Sequence, residues 1–263
     1  MEIVTQLITP FYMGDVDYDV LEFLVDRQAR YKTDGVLVCG KWGEKSTLSD
    51  SEHIEVAKRA VKASRSRIKV YASAGSNDTA KSIKTTEKLL EADVDGISLT
   101  LPYYNKGKDR EIVKATKKIK AIAKEKRVFL FCEERALNKE SEDQIKECGV
   151  EIVRDDGAWR KCHYLDDRFI LNALCVNGVL FSVFANVFPS SIIHIKKKWE
   201  EGEINRAVLA YFEIKEKIEM LISGDVPFLK YALSLWGLSS PFVRSPLIEC
   251  DEDEKTQIRR FFD

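Results

Sequence analysis

Short apolar, β-branched runs alternate with longer amphipathic stretches along this chain. Ile3–Thr9 predicts a strand. Tyr18–Tyr31 places Leu21, Leu24, Val25 and Ala29 at helical spacing and predicts a helix with one apolar stripe. Gly35–Cys39 (GVLVC) is apolar enough to be buried on both faces, the signature of a strand in a parallel sheet. Ser49-Asp50-Ser51-Glu52 forms a capping box that opens a helix carrying Ile54, Ala57 and Val61 on one face. Strands are predicted at Ile68–Ala72, Gly96–Leu101, Val128–Phe131 and Glu151–Val153. Between them fall a helix capped by Asn77/Asp78 and running to about Glu91, a helix at Asp109–Glu125 and a short one at Ser141–Cys148.

After Val153 this rhythm breaks. Only Asp155–Arg160 precedes the next predicted strand, Lys161–Leu165, whereas a parallel crossover needs a dozen or more residues, so the helix between strands six and seven is missing or reduced. A helix at Asp167–Val176 leads to an eighth strand, Gly178–Val183. From Pro189 the chain reads as helices alone: Ser190–Glu201, Ile204–Ile222, Val226–Trp236 and Glu252–Phe262. Eight strands in alternation with helices predict an α/β protein, a (β/α)8 TIM barrel with a C-terminal helical extension. Residues 1–188 would form the barrel, and 189–263 its last helix and the extension, packed with it as one unit.

Composition narrows the function. At 44% hydrophobic the chain has the residues for a sizeable core, and a formal net charge of −1 with interleaved signs removes the footprint of a nucleic-acid binder. No apolar run reaches the length of a membrane span, and no signal peptide is indicated. The six cysteines lie far apart with no zinc spacing, as in reduced thiols of a cytoplasmic protein. His53, His163 and His194 are scattered and read as surface or helix-face histidines, so neither a metal nor a cofactor is expected. The lysines of Lys196–Lys198 and Lys114–Lys120 read as solvated helix faces.

Several blocks carry a resemblance. Thr9-Pro10-Phe11, Asp34-Gly35-Val36-Leu37-Val38, Gly40-x-x-Gly43-Glu44-x-Ser46-Thr47-Leu48, Glu52-His53, Ala74-Gly75-Ser76-Asn77-Asp78-Thr79, Pro102-Tyr103-Tyr104-Asn105, Ser182-x-x-Ala185-Asn186 and Val243-Arg244-x-Pro246-Leu247 follow one another over nearly the whole chain. In that order they resemble the dihydrodipicolinate synthase / N-acetylneuraminate lyase family. The resemblance implies a barrel in which a lysine ending the sixth strand forms an imine with pyruvate or another 2-keto acid. It also implies a proton relay built from a tyrosine ending the fifth strand, a hydroxyl residue in the G-x-x-G-E loop and a tyrosine of the P-Y-Y segment, and a tetrameric or otherwise oligomeric assembly.

The chemical positions depart from that pattern. Ile152-Val153-Arg154-Asp155 puts Arg154 where the lysine should stand, and a guanidinium stays protonated and cannot attack a carbonyl. Phe131 stands at the tyrosine and has no hydroxyl to relay a proton. Lys41 and Trp42 replace small hydroxyl residues, which predicts a smaller pocket. Tyr104 is retained. The candidate catalytic positions are therefore Arg154, Phe131, Tyr104 and Lys41, and the candidate binding residues Trp42, Gly43, Glu44, Tyr103, Arg135, Glu133 and Phe181.

Two readings of the cations stay open. Lys41 is either a relocated imine-forming amine, with Lys161 a distant second, or a cation paired with Glu44, Glu133 or Asp155. Lys41, Arg135 and Arg154 either form a site for a small anion such as a 2-keto acid, or are neutralised by Glu133, Glu134, Asp155 and Asp156. Trp42 and Trp159 would fill volume in a pocket without substrate. The leading expectation is a divergent member without Schiff-base lyase activity that persists as a ligand-binding or assembly protein, as a homo-oligomer or beside an active paralogue. The rival is an active 2-keto-acid-dependent lyase.

Overall fold

A computed structural model describes residues 1–132, 136–154 and 164–262. Eight parallel strands form one curled sheet: β1 (Glu2–Gln6), β2 (Gly35–Val38), β3 (Lys69–Ser73), β4 (Gly96–Thr100), β5 (Arg127–Cys132), β6 (Glu151–Arg154), β7 (Tyr164–Leu165) and β8 (Val179–Ser182). Their order is β6-β5-β4-β3-β2-β1-β8-β7, and the two end strands lie against each other, so the sheet wraps into a barrel. Around it run α1 (Tyr18–Tyr31), α2 (Asp50–Ser64), α3 (Thr79–Glu91), α4 (Asp109–Ala123), α5 (Lys139–Glu147), α6 (Ile170–Cys175) and α7 (Pro189–Glu200). The extension adds α8 (Ile204–Ser223), α9 (Asp225–Leu235) and α10 (Glu252–Phe262). The chain is an α/β barrel with a C-terminal helical extension, as the alternation predicts. The span between β6 and β7, where a reduced helix was expected, lies outside the described residues, as do Trp159, Lys161 and His163.

Local chemistry sets the boundaries. Ser49 accepts the Glu52 amide while the Glu52 carboxylate takes the Ser49 amide, so the predicted capping box closes. The helix α4 stops two residues before the expected Glu125 because Lys124 turns to φ 52°, a conformation the helix cannot continue. A two-residue hairpin, Phe11–Tyr12 with Asp15–Val16, was not foreseen. Its turn, Met13-Gly14, has positive φ at both residues, the geometry that matches strand twist.

The lumen is a stack of rings. Val4, Leu37, Tyr71, Phe129, Phe131, Val153, Val179 and Phe181 form a cluster distinct from the core between sheet and helices. Tyr71 and Phe129 meet edge to face at 5.2 Å, as do Phe129 and Phe181, while Phe131 meets Phe181 at 5.0 Å. The Tyr71 ring needs the gap left by glycines on both neighbouring strands: a Cβ on Gly35 would lie 3.2 Å from the ring, and one on Gly96 3.0 Å from it. At the N-terminal end Arg127 closes the stack. It reaches Glu2 on β1 at 2.8 Å, Glu151 on β6 at 2.7 Å and the Tyr71 hydroxyl at 3.0 Å, with its guanidinium 4.7 Å from the Phe129 ring centre.

Two surface readings need correction. His53 is 6% exposed and is a buried histidine, because the α2 face that carries it packs against the sheet. Lys196 and Lys198 are not fully solvated: Lys196 leans on Asp34 at 3.2 Å, and Lys198 on Glu201 and Glu203 at 3.0 and 3.1 Å, so their side chains lie down between neighbouring carboxylates.

Replacing Arg127 with methionine leaves two carboxylates at the barrel floor without a cation. Its side chain is 33% exposed, so the loss is expected at about 1–3 kcal/mol, below that of a fully buried pair. Urea denaturation of Arg127→Met reads it directly.

Candidate functional site

The C-terminal ends of the strands are where barrels carry ligands, and here that face is organised by the loop after β2. Cys39 and Glu44 both adopt positive φ, 54° and 51°, and between them the chain makes a tight turn in which the Glu44 amide donates to the Lys41 carbonyl at 3.1 Å. Gly43 has no room for a side chain, since a Cβ there would lie 3.0 Å from the Cys39 nitrogen and 3.1 Å from the Leu7 carbonyl. The Thr9 hydroxyl donates to the Gly43 carbonyl at 2.7 Å and ties the turn to the end of β1.

This turn folds Glu44 inward. Its side chain is 1% exposed and lies 2.5 Å from Lys230 Nζ on α9, which is itself fully buried. Lys230 also donates to the Phe242 carbonyl at 2.9 Å and stands 4.0 Å from the centre of the Phe11 ring. Burial outweighs these partners and brings the Lys230 amine down to about 8. Arg244 completes the group. Its amide donates to the second Glu44 oxygen at 3.0 Å, and its guanidinium binds Glu52 at 2.6 Å, the Thr47 carbonyl at 3.0 Å and the Gly14 carbonyl at 2.7 Å. One ion-paired cluster thus joins the β2 turn, the hairpin, the start of α2 and the C-terminal segment. Sequence pattern singles out Glu44 and Arg244 within motifs but offers no signal for Lys230, which sits in an ordinary helical stretch.

The other predicted site residues fall apart from one another. Trp42 is buried at 6% and packs into the main core rather than the lumen cluster. Lys41 points outward, half exposed, 3.7 Å from Asp225 and 5.3 Å from the Trp42 ring centre. Its observed acid is therefore Asp225 rather than Glu44, which Lys230 already holds. Phe131 is 5% exposed and packed against Phe181, whereas Tyr103 and Tyr104 are 48% and 84% exposed, Tyr104 donating its amide to Asn77 at 2.8 Å. The rings that would line one pocket thus sit at different depths. A cavity of about 120 Å3 opens beside this face, outside the lumen, among Gly75, Asn77, Thr100, Pro102 and Glu111. Arg154 ends β6 with its backbone paired to Cys132. Glu133, Glu134, Arg135, Asp155 and Asp156 lie outside the described residues. Among the described residues no cluster of His, Cys, Asp or Glu is grouped to hold a metal, and no helix is long and apolar enough to cross a membrane.

An eight-stranded parallel barrel ringed by helices defines a (β/α)8 protein. The chain belongs to the dihydrodipicolinate synthetase family, whose model matches residues 1–131 and 159–263. The 4-hydroxy-tetrahydrodipicolinate synthase of Bacillus velezensis is 31% identical, over 97% of this chain and 95% of the relative. A dihydrodipicolinate synthase from Cyanidioschyzon merolae with lysine bound superposes with a TM-score of 0.92 at 24% identity, over 99% of this chain and 96% of that one. One from Acinetobacter baumannii complexed with pyruvate gives 0.89 at 24% identity, over 99% and 97%. The family match is interrupted at residues 132–158, the segment that contains Arg154 and the residues just past β5.

Two measurements test the cluster. Glu44→Gln leaves a buried ammonium without its counter-charge and is expected to cost about 3–5 kcal/mol in urea denaturation. The Glu52 carboxyl, which Arg244 holds at about 2 against an ordinary 4.5, contributes stability that is present above 4.5 and lost as pH falls toward 2. Glu52→Gln is expected to flatten that acid limb of a Tm against pH curve.

Proposed function

We propose that this chain is a dihydrodipicolinate synthetase family barrel that has given up the family's imine chemistry and serves as a ligand-binding or assembly protein. The carrying observation is the replacement of amine and hydroxyl together: Arg154 ends β6 where the resemblance calls for lysine, and Phe131 is packed against Phe181 where it calls for tyrosine. A guanidinium keeps its proton and has no free pair for a carbonyl carbon. A phenyl ring moves no proton. The ring stack from Tyr71 to Phe131 supports the same reading, because it fills the lumen with apolar groups rather than polar ones that would orient a keto acid.

What remains suits recognition of a small anion, such as a 2-keto acid, by cations at the mouth, with Arg154 as the arginine best placed in sequence to serve. A cytoplasmic setting and assembly as a dimer or tetramer, with itself or with an active paralogue, belong to this proposal. The rival, an active lyase using Lys41, draws less support from the geometry: that amine is solvated and held by Asp225 instead of being desolvated beside a carbonyl site.

Borohydride reduction in the presence of radiolabelled pyruvate is expected to leave no label on the chain. A stable adduct at any lysine overturns the proposal, and loss of that adduct in Lys41→Ala would make Lys41 the nucleophile.

A further inference from the structure

Between β2, α2 and α3, away from the ion-paired cluster, lies a second group of buried polar side chains. Lys45 opens the turn Lys45–Thr47 just after Glu44, and His53 lies on the buried face of α2. Lys45 Nζ and His53 Nε2 are both buried, and neither has a hydrogen-bond partner. Cys39, fully buried at the end of β2, directs its sulfur to the His53 carbonyl at 3.7 Å. On the outer side the Asp50 carboxylate of α2 is already paired with Lys81 of α3 at 2.9 Å.

An ammonium buried without an acceptor is costly, and the group avoids the cost by losing its proton. Burial brings Lys45 down to about 8. Burial first, and Lys45 second, bring His53 down to about 4, while the Ser73 carbonyl on β3 engages the imidazole. Burial also pushes the Cys39 thiol up to about 12, so it stays neutral. At pH 8 about half of the Lys45 amine is therefore neutral, and His53 is a neutral imidazole with an unused ring nitrogen.

We propose that Lys45 takes up carbon dioxide as a carbamate, with His53 Nε2 receiving the released proton. The amine lone pair forms the N–C bond, one C=O π pair becomes the second carboxylate oxygen, and the N–H proton passes to the imidazole. The product is a carbamate facing an imidazolium. Both unpartnered atoms then have partners and the pair carries no net charge, and the neighbour that held His53 neutral becomes an anion that favours its protonated form. Carbon dioxide is small and uncharged, so it reaches a buried amine that a larger carbonyl compound does not. Lys230 provides an internal control: its amine is also buried and also lowered to about 8, but Glu44 and the Phe242 carbonyl already hold its nitrogen.

The full chain, equilibrated with 13C-bicarbonate at pH 8 and ethylated with a trialkyloxonium salt, is read by peptide mass spectrometry. The adduct is expected on Lys45, at about ten times or more the yield on exposed lysines, since lowering an amine from 10.5 to about 8 raises its neutral fraction at pH 8 by roughly a hundredfold. Lys230 should stay unmodified, and Lys45→Arg should remove the signal. In the unsubstituted protein the His53 imidazole, followed by 15N NMR, should gain a proton when carbon dioxide is added, a response that survives any failure of a variant to fold. Adducts confined to the N-terminal amine, adducts spread evenly over lysines or appearing equally on Lys230, or an imidazole that stays neutral would each overturn the proposal.

Discussion

The Glu44–Lys230 ion pair is the constraint from which the mouth of this barrel takes its shape. Each partner is buried, so neither tolerates the loss of the other. To reach Lys230, Glu44 must adopt a left-handed backbone, which fixes the Gly40–Gly43 turn, and Gly43 must lack a side chain so that the turn can press on β1. Arg244 then binds the same carboxylate through its amide and spreads the restraint to Gly14, Thr47 and Glu52. The helical extension is therefore part of the barrel mouth.

The frame of the mouth and the strand ends at Phe131 and Arg154 are physically separate. The ion-paired cluster draws on β2, α2, α9 and the C-terminal segment, and Arg127 holds the floor. None of these groups is Phe131 or Arg154. A barrel can thus exchange a lysine and a tyrosine at the ends of β5 and β6 while its scaffold energetics stay in place. The family match covers residues 1–131 and 159–263, so Arg154 falls in its interruption and Phe131 at the edge of its first segment.

How much of this is legible in sequence depends on the range of the interaction. Helices such as Tyr18–Tyr31 and Glu252–Phe262 match their predicted bounds because periodicity and caps are local signals. Strand ends drift by one to three residues, as at Ile3–Thr9 against Glu2–Gln6, because the ladder partner and not the strand's own residues decides where pairing stops. The hairpin at Met13-Gly14 is too short for alternation to register. For the site, replacement at Arg154 and Phe131 is visible by register, but Lys230 is 186 residues from Glu44 in sequence, and the burial of Lys45 and His53 depends on how three elements converge. Charged residues in amphipathic helices read as solvated by default, and the default fails where tertiary packing folds one inward.

The clamp at Arg127 has a consequence for traffic through the molecule. It ties β1, β5 and β6 across the floor of the lumen, directly beneath Tyr71 and Phe129, so the barrel has a closed end. Whatever breathing the strands permit must open at the opposite rim, where Phe131 and Phe181 are the last rings of the stack. Among the described residues, a guest that enters the lumen from that rim meets these two side chains first.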